Sequence, residues 1–102
     1  MEIFTNETTL YYPNGQLKFK SVHVNDLIVV HEWYPNGNLL QKCTRDINTL
    51  NFIGIRLEYS SDGKVETEIF YNHHGKPDIH RGFNPDGSIM FERIYNNYLP
   101  DT

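Results

Sequence analysis

With 102 residues, a mass of 12.0 kDa and a formal charge of −4, the chain has room for one modest core. It lacks the basic excess that draws proteins to nucleic acid or anionic membranes. Its single cysteine, Cys43, excludes an internal disulfide and fits a reducing compartment. No apolar run reaches the length of a membrane span, and without a basic-then-apolar start no secretory signal peptide is expected. A single cytoplasmic domain over residues 1–102 is the expectation, with no membrane or direct nucleic-acid contact. The charge is uneven: residues 1–45 carry four acids and four bases, residues 46–102 nine acids and five bases.

Residues 3–12 alternate weakly and predict a first strand, closed by Pro13-Asn14-Gly15. Leu17 to Val24 alternates clearly and predicts a second strand; Asn25-Asp26 supplies a turn, and Leu27 to Tyr34 is the most β-prone stretch of all. Leu39 to Thr44 returns from the Pro35-Asn36-Gly37 turn. Residues 46–54 break the rhythm as an irregular connector, either a long hairpin loop or a seam between two sheets. Ile55–Tyr59 and Lys64–Asn72 predict a third hairpin, residues 72–77 a broad turn, Asp78–Phe83 a short strand and Ser88–Tyr95 the last one. Pro, Gly and Asn recur too often for any amphipathic helix beyond two turns.

One phrase occurs four times: Tyr11-Tyr12-Pro13-Asn14-Gly15, Trp33-Tyr34-Pro35-Asn36-Gly37, Tyr59-Ser60-Ser61-Asp62-Gly63 and Phe83-Asn84-Pro85-Asp86-Gly87. Four residues before each glycine stands an aromatic, and two after it an aliphatic: Leu17, Leu39, Val65 and Ile89. A self-similar unit recurring every twenty-odd residues marks a repeat architecture. Proline presets the first central dihedral of a type I turn, Asn or Asp suits the second, and glycine takes the left-handed conformation that follows. Such a three-residue loop closes a β-hairpin with a glycine bulge. It predicts positive φ at Gly15, Gly37, Gly63 and Gly87, and cross-strand pairs Tyr11–Leu17, Trp33–Leu39, Tyr59–Val65 and Phe83–Ile89. The aromatic–aliphatic pairs are expected to share one sheet face, since the intervals between them are even. The fold class that follows is all-β: an antiparallel meander of stacked hairpins with about eight strands.

The runs Tyr11-Tyr12-Pro13-Asn14-Gly15-Gln16-Leu17-Lys18 and Tyr34-Pro35-Asn36-Gly37-Asn38-Leu39 resemble the bacterial variant of the MORN repeat. The resemblance is good over residues 11–45 and looser over 55–95, where Ser60-Ser61 replaces Tyr-Pro and Asn84 replaces the second aromatic. It implies a twisted repeat sheet, and a function like that of repeat proteins serving as antitoxin or immunity partners of bacterial toxins.

Residues suited to chemistry do not assemble into a catalytic set. His73, His74, Asp78 and His80 invite a metal reading, but adjacent histidines point apart and Cys43 is remote, so neither metal nor cofactor is expected. Each glycine ends a hairpin turn rather than opening a helix, which excludes a phosphate-cradling loop. Uninterrupted alternation predicts Arg56 opposite Glu68, a cross-strand ion pair worth little. It also puts Glu58 opposite Glu66, a like-charge pair that is either incidental surface or part of an alternative acidic patch of Glu58, Glu66 and Glu68 kept for a basic partner.

The stronger signal is the second sheet face, predicted to carry Tyr12, Lys18, Lys20, Val22, Ile28, Val30, Glu32, Tyr34 and Leu40. Tyr12 and Tyr34 occupy the slot held by Ser60 and Asn84 in the other repeats. Aromatic anchors that the repeat itself does not demand suit a partner interface. The expected site is therefore Tyr12, Ile28, Val30, Tyr34 and Leu40. The expected function is non-enzymatic: an antitoxin, immunity-like or phage-encoded inhibitor that blocks a toxin, nuclease or host defence complex. The alternative is an assembly module that self-associates through sheet faces or edges, with which a homodimer is compatible.

Overall fold

The computed structural model describes residues 5–95; Ile3 and Phe4 of the first predicted strand lie outside them. Eight strands form one antiparallel sheet in chain order: β1 (Thr5–Tyr11), β2 (Leu17–Val24), β3 (Leu27–Trp33), β4 (Leu39–Asp46), β5 (Gly54–Tyr59), β6 (Val65–Tyr71), β7 (Pro77–Phe83) and β8 (Ile89–Ile94). The sheet stays open, so β1 and β8 are its edges.

The turns are built as the glycine phrase requires. Gly15 N–H donates to the Tyr12 carbonyl (2.9 Å) and Tyr12 N–H to the Gln16 carbonyl (2.8 Å). The same pair of bonds closes the turns at Gly37, Gly63 and Gly87, and φ is +87°, +93°, +92° and +89° at the four glycines. All four predicted aromatic–aliphatic pairs are present. The broad turn expected at 72–77 is in fact a fifth copy: Asn72 and Lys76 close it, with Gly75 at φ +77°. It sits at the opposite end of the sheet, between β6 and β7.

One regular feature departs from simple alternation. Leu10 pairs with Phe19 while Tyr11 pairs with Leu17, so Lys18 is an extra residue. Leu40, Glu66, Asp78 and Met90 are extra in the same way, each the third residue after its turn glycine. Such a bulge reverses the alternation of its strand. The two-residue turn at Asn25-Asp26 reverses it again, since Val24 pairs with Leu27. The two reversals cancel between the aromatic–aliphatic pairs, which do share a face, but not within the strands. The aromatic face carries a continuous cross-strand row from Thr9 through Lys20, His31, Lys42, Leu57, Glu68 and Arg81 to Glu92. The opposite face carries Leu10, Phe19, Glu32, Gln41, Glu58, Thr67, Gly82 and Phe91. The expected second face is therefore divided: Lys20 and Val22 lie with the aromatics, Ile28, Val30 and Glu32 on the reverse.

The connector at 46–53 is a hairpin loop within one sheet rather than a seam between two. Asp46 Oδ1 accepts the N–H groups of Asn48 (2.8 Å) and Thr49 (3.0 Å), and Leu50 takes a φ of +62°. Beyond it β4 and β5 join only at Gln41–Glu58 and Lys42–Leu57, with an isolated bridge at Arg45–Phe52.

Among the described residues no second sheet or helix covers either face; only the 46–53 loop packs against one of them, through Phe52. Cys43 is the one buried apolar side chain among the described residues. The radius of gyration is 15.9 Å, against about 13 Å for a compact chain of this length. The accessible surface is 7150 Å², where a compact protein of this mass exposes about 6,000 Å².

Candidate functional site

The predicted anchors Tyr12 and Tyr34 have a place in the fold. Each is half-buried at the turn end of the sheet. The phenol of Tyr12 donates to the Trp33 carbonyl and that of Tyr34 to the Tyr59 carbonyl, both at 2.6 Å. Beside them Asn14 Nδ2 donates to Pro35 O (3.0 Å) and Asn36 Nδ2 to Ser61 O (2.8 Å). The same asparagines accept, through Oδ1, the N–H groups of Gln16 and Asn38 in their own turns. An amide can do both at once. A ladder of side-chain struts thus ties the first turn to the second and the second to the third.

Ile28 and Val30 lie on the opposite face, half-buried, with Val30 between Ser21 and Cys43. Burial is deepest there: Ser21 retains 8% exposure and Cys43 4%. Burial pushes the Cys43 thiol pKa up, against the pull of Arg45 and Arg56. The guanidinium groups of those arginines lie 4.0 and 4.7 Å from the Phe52 ring, on which Tyr71 stacks at 5.1 Å. This cluster pins the 46–53 loop to the sheet. Leu40 is the bulge residue of the second hairpin, so the five predicted site residues divide among a face, a bulge and the turn ladder rather than forming one patch.

The aromatic face of β2 and β3 was not singled out by alternation, because the bulge at Lys18 brings Val22 and Val24 onto it. Together with Leu17, Val29 and Trp33 they line an open groove of about 450 Å³, bordered by Lys20 and His31. His31 stacks on Trp33 with ring centroids 5.8 Å apart. Its pKa is lowered by desolvation first, then by Lys42 and Lys20 on either side.

The predicted acidic patch does not assemble. Glu58 pairs with Thr67 and forms an ion pair with Arg56 along its own strand (3.1 Å). Glu68 lies on the other face, opposite Leu57, and holds Arg81 at 2.9 Å; Arg81 also reaches Glu92 at 2.6 Å. Glu66 is an exposed bulge residue. The one-residue slip that separates them also puts Ile69, not Glu68, opposite Arg56. Among the described residues no three His, Cys, Asp or Glu side chains converge as metal ligands. Contrary to the expectation that adjacent histidines point apart, His73 and His74 lie ring to ring at 4.0 Å, while His80 packs edge-on against Phe91. No helix among those residues is long and apolar enough to cross a membrane.

Comparison with known proteins adds three findings. The sequence model of the MORN repeat variant matches residues 5–25, 30–46 and 53–73. No curated protein matches the chain. Among solved structures, a TarM mutant from S. aureus in complex with Fondaparinux, alpha-GlcNAc-glycerol and UDP aligns with a TM-score of 0.55 at 15% identity. A second TarM structure aligns with the same TM-score at 16% identity. Each alignment covers 88% of this chain but 19% of TarM, so the likeness is one of fold, to about a fifth of that protein.

Proposed function

The chain belongs to the MORN repeat variant family, and from that premise we propose that it is a non-catalytic module which binds and blocks another protein stoichiometrically. Repeats of this family are in general non-enzymatic and serve as protein- or membrane-binding modules. The observation that carries the proposal is the single layer. The chain exposes about 1,100 Å² more surface than a compact protein of its mass, comparable with the roughly 800 Å² that each partner contributes to a standard interface. The acidic balance favours a protein over an anionic membrane. The finer reading is an antitoxin, immunity-like or phage-encoded inhibitor of a toxin, nuclease or defence complex. The contact surface is proposed on the first two hairpins, where Val22, Val29 and Trp33 line one face and Ile28 and Val30 the other.

Affinity capture from the native cell, followed by native mass spectrometry of the purified complex, tests this reading. A fixed-ratio complex with one other protein is expected, weakened at least tenfold by Val22→Glu or by Ile28→Glu according to the face used. Recovery of the chain only as a tight oligomer of itself would support the assembly-module alternative instead.

A further inference from the structure

We propose that the cleft between the third and fourth glycine turns is a docking site for a tyrosine side chain of a protein partner. The inference rests on the reading of the chain as a protein-binding module, and it comes from comparing the repeats with one another.

Three residues before each turn glycine stand Tyr12, Tyr34, Ser60 and Asn84. From the first two positions a phenol crosses to the next turn and donates to the carbonyl of Trp33 or Tyr59. The equivalent acceptor for the third position is the carbonyl of Phe83. Ser60 is too short to reach it, and its hydroxyl turns back to Asp62 and to the Lys64 carbonyl. The second strut is lost as well. Asn14 and Asn36 donate to the carbonyls of Pro35 and Ser61, but the third turn has Asp62 in that place, and a carboxylate has no hydrogen to give.

With both struts missing, a cleft of about 380 Å³ separates the turns, lined by Ser60, Asp62, Val65, Glu66, Phe83 and Pro85 among others. A second hollow of about 430 Å³ shares Val65, Phe83 and Pro85 with it. Both volumes lie within the range of about 300–1,000 Å³ typical of ligand sites. Val65, Phe83 and Pro85 supply apolar lining, while the acceptors at hand are the Phe83 carbonyl, equivalent to those of Trp33 and Tyr59, and the carboxylates of Asp62 and Glu66. A flat apolar body with one hydrogen-bond donor at its tip satisfies both. That is a phenol, the group the chain itself inserts at the two equivalent places. Two carboxylates against the single ammonium of Lys64 further favour a tyrosine with a basic neighbour.

Titration of the ¹⁵N-labelled chain with N-acetyl-tyrosinamide and with N-acetyl-phenylalaninamide tests the site. Saturable amide shifts are expected at Ser60, Asp62, Val65 and Asn84, with the tyrosine probe about threefold or more tighter, the increment of one hydroxyl hydrogen bond. Absence of these shifts, or equal affinity for the two probes, would overturn the proposal. Ser60→Tyr provides an internal occupant. It should melt a few degrees above both the parent and Ser60→Phe, and it should abolish the tyrosinamide shifts. A Ser60→Tyr chain that melts no higher than Ser60→Phe, or still binds the probe, would equally refute it. Both measurements use the isolated chain, so their failure is distinct from failure to capture a native partner.

Discussion

The phenol of Tyr34 donates a 2.6 Å hydrogen bond to the carbonyl of Tyr59, 25 residues further along the chain. Tyr12 makes the equivalent bond to Trp33. These contacts assign the tyrosines to the joints between repeats, where sequence alone suggests free anchors. Tyr34→Phe is expected to lower the unfolding free energy by about 1 kcal/mol, the net worth of one hydrogen bond. Tyr34→Ser, which also strips a half-buried ring, should cost about 2 kcal/mol. Chemical denaturation measures both; an unchanged midpoint for Tyr34→Ser would mean that the ladder contributes nothing to the fold.

The turn glycines share a conformation but not a neighbourhood. A Cβ on Gly15 meets open space, whereas on Gly75 it would lie 2.6 Å from Asn51 Cβ. Gly15→Ala should therefore cost about 1 kcal/mol for its positive φ alone, and Gly37→Val more than that. Gly75→Ala should be worse than Gly15→Ala, and Asn51→Gly in the same chain should recover the difference. A double-mutant cycle by urea denaturation checks the coupling.

His31 makes stability pH-dependent. Desolvation and its two lysine neighbours hold its folded pKa below the ordinary imidazole value, so the folded state favours the neutral ring. The unfolded state then binds more protons. The contribution of His31 is fully present above about pH 6.5 and is lost as pH falls through the lowered folded pKa. His31→Gln should shrink the stability loss between about pH 7.5 and pH 5. Lys42→Gln should raise the midpoint of the His31 ring titration followed by NMR.

Cys43 should be chemically silent in the native protein. Its thiol is buried and its pKa raised by that burial, so the reactive thiolate is scarce. Reaction with a disulfide reagent such as DTNB should be at least tenfold slower than for the urea-unfolded chain. A native rate equal to the unfolded one would contradict the burial.

The turns and the aromatic–aliphatic pairs could be read from the sequence because proline, asparagine and glycine each impose a local dihedral that needs no distant partner. Gly75 was harder to place, since His73-His74 stands where the other turns have Pro-Asn, Ser-Asp or Pro-Asp; only the spacing of 12 residues from Gly63 and from Gly87 marks it. The bulges at Lys18, Leu40 and Glu66 carry no residue signature. Three unlike side chains occupy the same backbone position, which is set by the fit of the strand pair and not by any one of them. For that reason the second face, and with it the proposed acidic patch, could not be assembled by counting alternate residues.

The short junction between β4 and β5 has a dynamic consequence. Every strand in this sheet touches only its chain neighbours, so the two halves are coupled along the backbone ladder only by Gln41–Glu58, Lys42–Leu57 and the Phe52 bridge, and at the turn end by the Tyr34 and Asn36 struts to Tyr59 and Ser61. In a nearest-neighbour array the weakest coupling sets where the array comes apart. Residues 5–46 and 54–95 should accordingly open as two separate units. Native-state hydrogen exchange is expected to resolve them as two plateaus of protection, one for each block of four strands.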